Sequence, residues 1–170
     1  MTTTTKIAYS NNTAIVMTCT GLAADAGLLV GRQSVVQDNT SNLYLDCIVR
    51  GSFTVGTTPA ITGGLAVFVY GADTSPASTA IGPINGTDAS CTFTTTSLGA
   101  SVTFARKPSV LVNTSDTKYY IQPFSVAMLF GGVMPKFWGL YVAHDMTAAL
   151  KTDAANNDSF SFNGINYTHA

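Results

Sequence analysis

The chain contains no glutamate: all nine of its acidic residues are aspartates. Exposed helix faces are built mainly from Glu, Lys, Arg, Gln and Ala. Only eight Lys and Arg are present in 170 residues, and charged residues make up 10%. A typical soluble domain carries about 25%. The material for long solvent-facing helices is missing. Threonine is abundant instead, and its β-branched side chain suits strands. The expectation is an all-β chain forming one domain, since 170 residues can bury a full core without staples.

The densest aromatic stretch, 131–150, holds the single tryptophan and reads as a Gly-Gly turn, a strand over Lys136–His144 and a polar turn. Strand parity puts Phe137, Gly139, Tyr141 and Ala143 on one face and Trp138, Leu140, Val142 and His144 on the other. Leu65–Tyr70 is likewise apolar on both faces, which places it inside a sandwich or under a partner. Further strands are expected over Ile7–Tyr9, Thr13–Thr20, Leu28–Val36 with a break near Gly31-Arg32, Leu43–Val49, Cys91–Thr96, Val102–Phe104, Ser109–Val112 and Lys118–Met128. A final strand or hairpin around Gly164 spans Ser159–Thr168. Met146–Lys151 reads as a helical turn. In Leu43–Val49, Leu43, Leu45, Cys47 and Val49 should share a face. In Lys118–Met128, Tyr120, Gln122, Phe124 and Val126 should do so.

Eight to ten short strands with regular turn signals predict an antiparallel β-sandwich, jelly-roll-like, with residues 1–12 as a flexible N-terminal arm and 13–170 as the domain. The arm and the Ser/Thr/Pro/Gly-rich loop 71–90 are the expected partner-contact elements. Within them Thr2, Thr3, Thr4, Thr5, Lys6, Ile7 and Tyr9, and Pro76, Ile81, Pro83 and Ile84, are the candidate contacts.

Catalytic equipment is not legible. No nucleophile elbow, phosphate loop or zinc-binding helix pattern occurs. His144 and Asp145 are adjacent, but neighbours in a strand point to opposite faces. No catalytic, cofactor or metal residues are therefore assigned. A calcium site from Asp73, Asp88 and Asp116 is a minor alternative. Cys19, Cys47 and Cys91 are odd in number and widely spaced, and read as buried hydrophobes. A glycan platform on Trp138 or Tyr141 is a further alternative. There is no basic patch for nucleic acid, no apolar run long enough to span a membrane and no signal-peptide pattern.

Two runs resemble a known family. The first is Tyr44-Leu45-Asp46-Cys47-Ile48-Val49 with the Thr/Gly loop at 51–59 and Val67-Phe68-Val69-Tyr70. The second is Val133-Met134-Pro135-Lys136-Phe137-Trp138-Gly139-Leu140-Tyr141-Val142-Ala143 with Thr147-Ala148-Ala149-Leu150. Together they resemble small β-sandwich structural proteins of tailed bacteriophages, although His144-Asp145 stands where that pattern has a lone Asn. The resemblance implies a non-enzymatic virion protein made in the host cytoplasm. It implies a capsid decoration or cement role on the major capsid protein lattice, with neck or tail placement as the alternative. The partners it implies are the major capsid protein or other virion proteins, with a homo-oligomeric or lattice-arrayed chain.

Overall fold

The computed structural model describes residues 5–152 and 158–169. Its strands are β1 (Thr5–Tyr9), β2 (Thr13–Ile15), β3 (Val30–Gln33), β4 (Gln37–Asp38), β5 (Asp46–Thr54), β6 (Leu65–Ala72), β7 (Ala89–Thr92), β8 (Thr103–Arg106), β9 (Lys118–Ser125), β10 (Phe137–His144) and β11 (Ser159–His169). Two short helices interrupt them, α1 (Thr95–Ser101) and α2 (Val126–Leu129). The first sheet has the order β1-β11-β5-β9, with β2 also on β11. The second has the order β7-β3-β10-β6-β8, with β4 also on β10. Every strand pair is antiparallel, and the two sheets pack as a sandwich. The strand orders do not by themselves make it a jelly roll.

Both faces of the second sheet are buried. Between the sheets, Leu65, Val67, Val69, Trp138, Leu140 and Val142 meet Val49, Phe53, Phe124, Phe160 and Phe162. The Trp138 and Phe162 rings touch edge-to-face with centroids 5.1 Å apart. Each such side chain contributes about 1.5–3 kcal/mol by leaving water. On the far side, Ala66, Phe68, Tyr70, Tyr141 and Ala143, with Cys91 of β7 beside them, are covered by Ile84, Phe93 and Val102. The parity expected for β10 and β6 therefore holds, and β10 sits at the centre of its sheet.

The cover over that far face includes the loop expected to reach a partner. Residues 73–88 fold inward: Ile81 and Ile84 form a small bridge, and Ile84 is fully buried. Gln33, itself buried, holds the loop in place. Its Oε1 accepts from the N–H of Asn85 at 2.9 Å and of Gly86 at 3.1 Å. Tyr70 and Tyr141 donate their hydroxyls to the carbonyls of Ser34 and Leu28. The buried polar groups of this layer are thus satisfied, as a dry interior requires.

Several expectations are corrected. The 91–96 stretch ends as β7 and gives way to α1, whose start is fixed by Thr94. Its Oγ1 accepts from Ser97 N–H at 3.2 Å, while Ser97 Oγ accepts from Thr94 N–H at 2.8 Å. Serine here completes a capping box that usually uses Glu or Gln, so the missing glutamate did not exclude a short helix. Lys118–Met128 is not one strand. Val49 pairs with Phe124 but Gly51 pairs with Ile121, so β9 carries an extra residue at a bulge beside Pro123. Proline lacks the N–H a ladder needs and is found at such irregularities. The bulge reverses parity: Ile121 and Phe124 both point inward, Tyr120 points out, and Val126 begins α2. The Leu43–Val49 alternation also fails at its start. Leu43 has φ 51°, a left-handed turn conformation, and Leu43 and Leu45 are exposed while Cys47 and Val49 are buried. Thr147 has φ 64°, which prevents the helical turn expected over Met146–Lys151. Ser109–Val112 forms no strand beyond a single bridge from Ser109 to Gly64. β11 runs straight through Gly164 with no hairpin; any Cβ there would run into the Tyr44 ring.

Gln33→Leu should strand the N–H groups of Asn85 and Gly86. The expected cost is about 2–4 kcal/mol of stability. Amide hydrogen exchange in residues 73–88 should rise well before that in β10, and equal protection in variant and parent would refute the pinning role.

Candidate interaction surface

The second sheet has an inner and an outer covering, whereas the first has only an inner one among the described residues. Phe160 and Phe162 of β11 point into the core, so Ser159, Ser161, Asn163, Ile165 and Tyr167 point out. Register extends this outer face. Ile7 stands opposite Tyr167 and Tyr9 opposite Ile165. Ile48 stands opposite Asn163 and Arg50 opposite Ser161. Ile7 is 60% exposed, Tyr9 67% and Tyr167 62%. Arg50 reaches across the face to the side-chain oxygens of Asn163 and Asn12. At the β9 side, Arg50, Ser52, Tyr120, Pro123, Ser159 and Ser161 line a shallow depression of ≈ 340 Å³. At the β1 end, Leu43, Leu45 and Tyr167 help line another of ≈ 350 Å³. Exposed apolar residues gathered in this way mark contact surfaces more often than isolated ones do.

The face ends at a bare strand edge. Ser10 N–H donates to Gly164 O at 2.8 Å, and Leu45 N–H donates to Ile165 O at 2.8 Å. Bonding alternates along an antiparallel ladder. Lys6 and Ala8 therefore bond to β11, while the N–H and C=O groups of Thr5, Ile7 and Tyr9 point away from the sheet.

The expected contact residues divide into three groups. Thr2, Thr3 and Thr4 lie outside the described residues. Thr5, Lys6, Ile7 and Tyr9 form β1, paired along its length with β11 of the same chain. A neighbour is therefore not needed to order residues 5–9, and β2 continues on the same strand beyond them. In the 71–90 loop, Pro76 and Ile84 are buried and Ile81 and Pro83 half-buried. Ile84 cannot meet a partner without opening the second core, where its side chain is already packed, and Pro76 is likewise withdrawn from solvent. Tyr167, Tyr120 and Arg50 were not foreseen. The alternation of Phe160 and Phe162 against Ser159, Ser161, Asn163 and Ile165 carried the signal for Tyr167.

The stretch with the rare residues is interior. Trp138 is 1% exposed and Tyr141 0%, so neither can stack on a sugar. His144 is also fully buried. Its Nε2–H donates to Leu22 O at 2.8 Å, and its Nδ1 accepts from Met146 N–H at 3.4 Å. Burial pushes its pKa down, so the folded chain holds it neutral. Asp145 turns away to Lys107 at 2.5 Å and to the Gly64 N–H at 2.8 Å. The two adjacent groups are separate structural ties. Asp88 pairs with Arg32 at 2.6 Å and Asp116 with Lys151 at 3.0 Å, while Asp73 is exposed. No three metal-ligating side chains converge among the described residues. All three cysteines are free and buried, as the sequence suggested. Burial raises the thiol of Cys47 to about 12 and that of Cys91 to about 11, and raises Cys19 further still. Comparisons with protein-family models, with curated proteins and with solved structures find no match.

Two groups, the buried His144 and the half-buried Asp158, titrate in opposite senses. His144 is depressed below 6.5, so the unfolded chain takes up a proton that the folded chain refuses, and stability falls as pH drops below 6.5. Asp158 is raised by burial from 3.8 to about 6, against the Thr54 N–H bond and the Lys118 charge. Its folded form binds a proton that the unfolded form releases, a contribution complete below 3.8 and lost as pH rises through about 6. Asp158→Asn should therefore melt above the parent at pH ~7.5, by on the order of 1 kcal/mol after allowance for partial exposure. The gap should close toward pH ~4. His144→Gln should be less stable throughout, with a shallower loss between pH ~7 and ~5. Parallel stability–pH curves for parent and variants would contradict both assignments.

Proposed function

We propose that the chain is a non-enzymatic virion structural protein, a capsid decoration or cement protein that binds the major capsid protein lattice. The observation that carries this reading is the one-sided first sheet. Its outer face is poor in charge, sets Ile7, Tyr9 and Tyr167 in solvent, and ends in a strand, β1, whose outer edge is free. Such a surface suits broad contact with protein. On a symmetric lattice, weak contacts of this kind add to strong attachment without any single deep pocket. The two runs that resemble phage sandwich proteins fall on β5–β6 and on β10 with its flanks, the framework of the sandwich.

The test uses particles prepared with and without the chain. The chain should co-purify with particles, appear at many symmetry-related outer positions in images, and raise the temperature at which the shell opens. Density confined to one vertex or to the tail would move the protein to the neck or tail. Absence from particles with no change in shell stability would overturn the reading.

A second reading, glycan binding, rests on the depression near Tyr120. That ring is 75% exposed beside Arg50 and the hydroxyls of Ser52, Ser159 and Ser161. Exposed aromatics next to hydroxyls and a guanidinium can stack on and hydrogen-bond a sugar. Glycan-array binding that disappears in Tyr120→Ala, with the melting temperature unchanged, would favour it over lattice binding. No binding by the parent would remove it.

A further inference from the structure

The edge of β1 differs from the other three sheet edges. At the opposite edge of the first sheet, β9 is interrupted by a bulge and Pro123. The edge strands of the second sheet are four residues each. β8 has a register shift, and its Arg106 guanidinium lies 5.8 Å over the Phe124 ring of β9. β7 runs almost directly into α1. Proteins blunt edges by such means to prevent strand addition. β1 has no proline, no bulge and a single charge, Lys6.

We infer that β1 pairs antiparallel with β1 of a second copy of this chain, with Ile7 facing Ile7 across a twofold axis. The edge is self-complementary in this register. Thr5, Ile7 and Tyr9 offer three N–H and three C=O groups on each copy, and Thr5 falls opposite Tyr9. All of them close, giving six hydrogen bonds. A register centred on Lys6 or on Ala8 closes fewer of these groups within residues 5–9. The Lys6 register also sets two ammonium groups face to face, which is unfavourable. Centred on Ile7, each Lys6 faces an Ala8, and the two like charges are diagonal. The outer-face side chains agree with the backbone. Ile7, Tyr9 and Tyr167 of both copies would join in one apolar strip across the axis, shielding surface that each copy now exposes. The result is a continuous sheet running through both molecules, an isologous contact of the commonest symmetry. A five-residue strand on each side is smaller than a standard interface, so the dimer is weak, with dissociation in the range of about 1–100 μM. None of this depends on the virion reading; the dimer forms in solution whether or not the chain ever meets a particle.

Sedimentation velocity of the full chain between about 1 and 300 μM tests it, on a concentration range set by that affinity class. The mass should rise from 17.7 kDa toward twice that value. Ile7→Pro removes one outward N–H and leaves the Lys6 and Ala8 bonds to β11 in place, a position where edge proline is tolerated. It should weaken dimerisation at least about tenfold, since two of the bonds and the central contact go, with the parent's circular dichroism and melting temperature. Should that variant melt early, Ile7→Asp serves instead, because it sets two carboxylates opposite each other at a site already exposed in the monomer. The register has its own readout. Hydrogen-bonded partners lie about 5.5 Å apart at Cα, within disulfide reach. The native thiols are buried, so Ile7→Cys should yield an oxidised covalent dimer while Lys6→Cys should not. A chain monomeric throughout the range, or a dimer unaffected by both substitutions at position 7, overturns the inference and leaves the edge to a strand of another protein. Cross-linking at position 6 in preference to 7 overturns the register.

Discussion

The structure depends on one constraint: the second sheet is too apolar to show either face to water. Eight consecutive residues of β6 and β10 stand opposite one another, from Leu65 with His144 to Ala72 with Phe137, and nearly all are buried. One face is satisfied by the first sheet. The other meets no third sheet among the described residues and is covered by residues from the 73–88 loop, by Phe93 and by α1 with Val102. Irregular chain brings unpaired backbone groups with it, and these must find partners when buried. Gln33 supplies two acceptor contacts at the point where Asn85 and Gly86 press inward. Ser34 serves the same purpose from the strand side, accepting the Leu140 N–H on its Oγ at 2.9 Å and the Tyr70 hydroxyl on its carbonyl. The polar residues of this layer follow from the apolar ones.

That constraint also explains what could be read from the residues. A strand that is apolar on both faces announces itself without context, and β6, β10 and their parity were legible. So was the sandwich, because charge scarcity and threonine left few alternatives. The identity of the second cover was not legible, because the composition of 71–90 is that of a solvent loop. Only its few apolar residues, Ile81 and Ile84, tell that it folds inward. α1 escaped notice because it is held by a Thr94–Ser97 reciprocal cap and by Leu98 packing on the outer layer, not by helix propensity. The parity of β9 was lost at Pro123, a residue whose presence marked an irregularity but not its direction.

The candidate surface was only partly legible for a related reason. Which strands lie at an edge is a property of pairing across the whole chain, and β1 finds its partner in β11, more than 150 residues away. Sequence alone placed interaction at the start of the chain but assigned it to an unattached arm. The structure instead makes β1 part of the first sheet and transfers the interest to its free side. Tyr167 joins Ile7 there through the same pairing. His144 and Asp145 show the opposite case: rare residues drew attention, yet each is consumed by local ties to Leu22, Gly64 and Lys107.

β11 has one more consequence, which concerns time. It is the hub of the first sheet, with β1 and β2 on one side and β5 on the other. It is also the last of the described strands in chain order. A ribosome delivers the chain in order, so β1, β2 and one flank of β5 wait without a partner until β11 emerges. The second sheet has all its strands by His144 and can assemble earlier. Pairings that close loops of this length form slowly. The half-built molecule therefore shows the core side of its second sheet to solvent, and the interval before β11 arrives is when this chain is most exposed to aggregation and proteolysis.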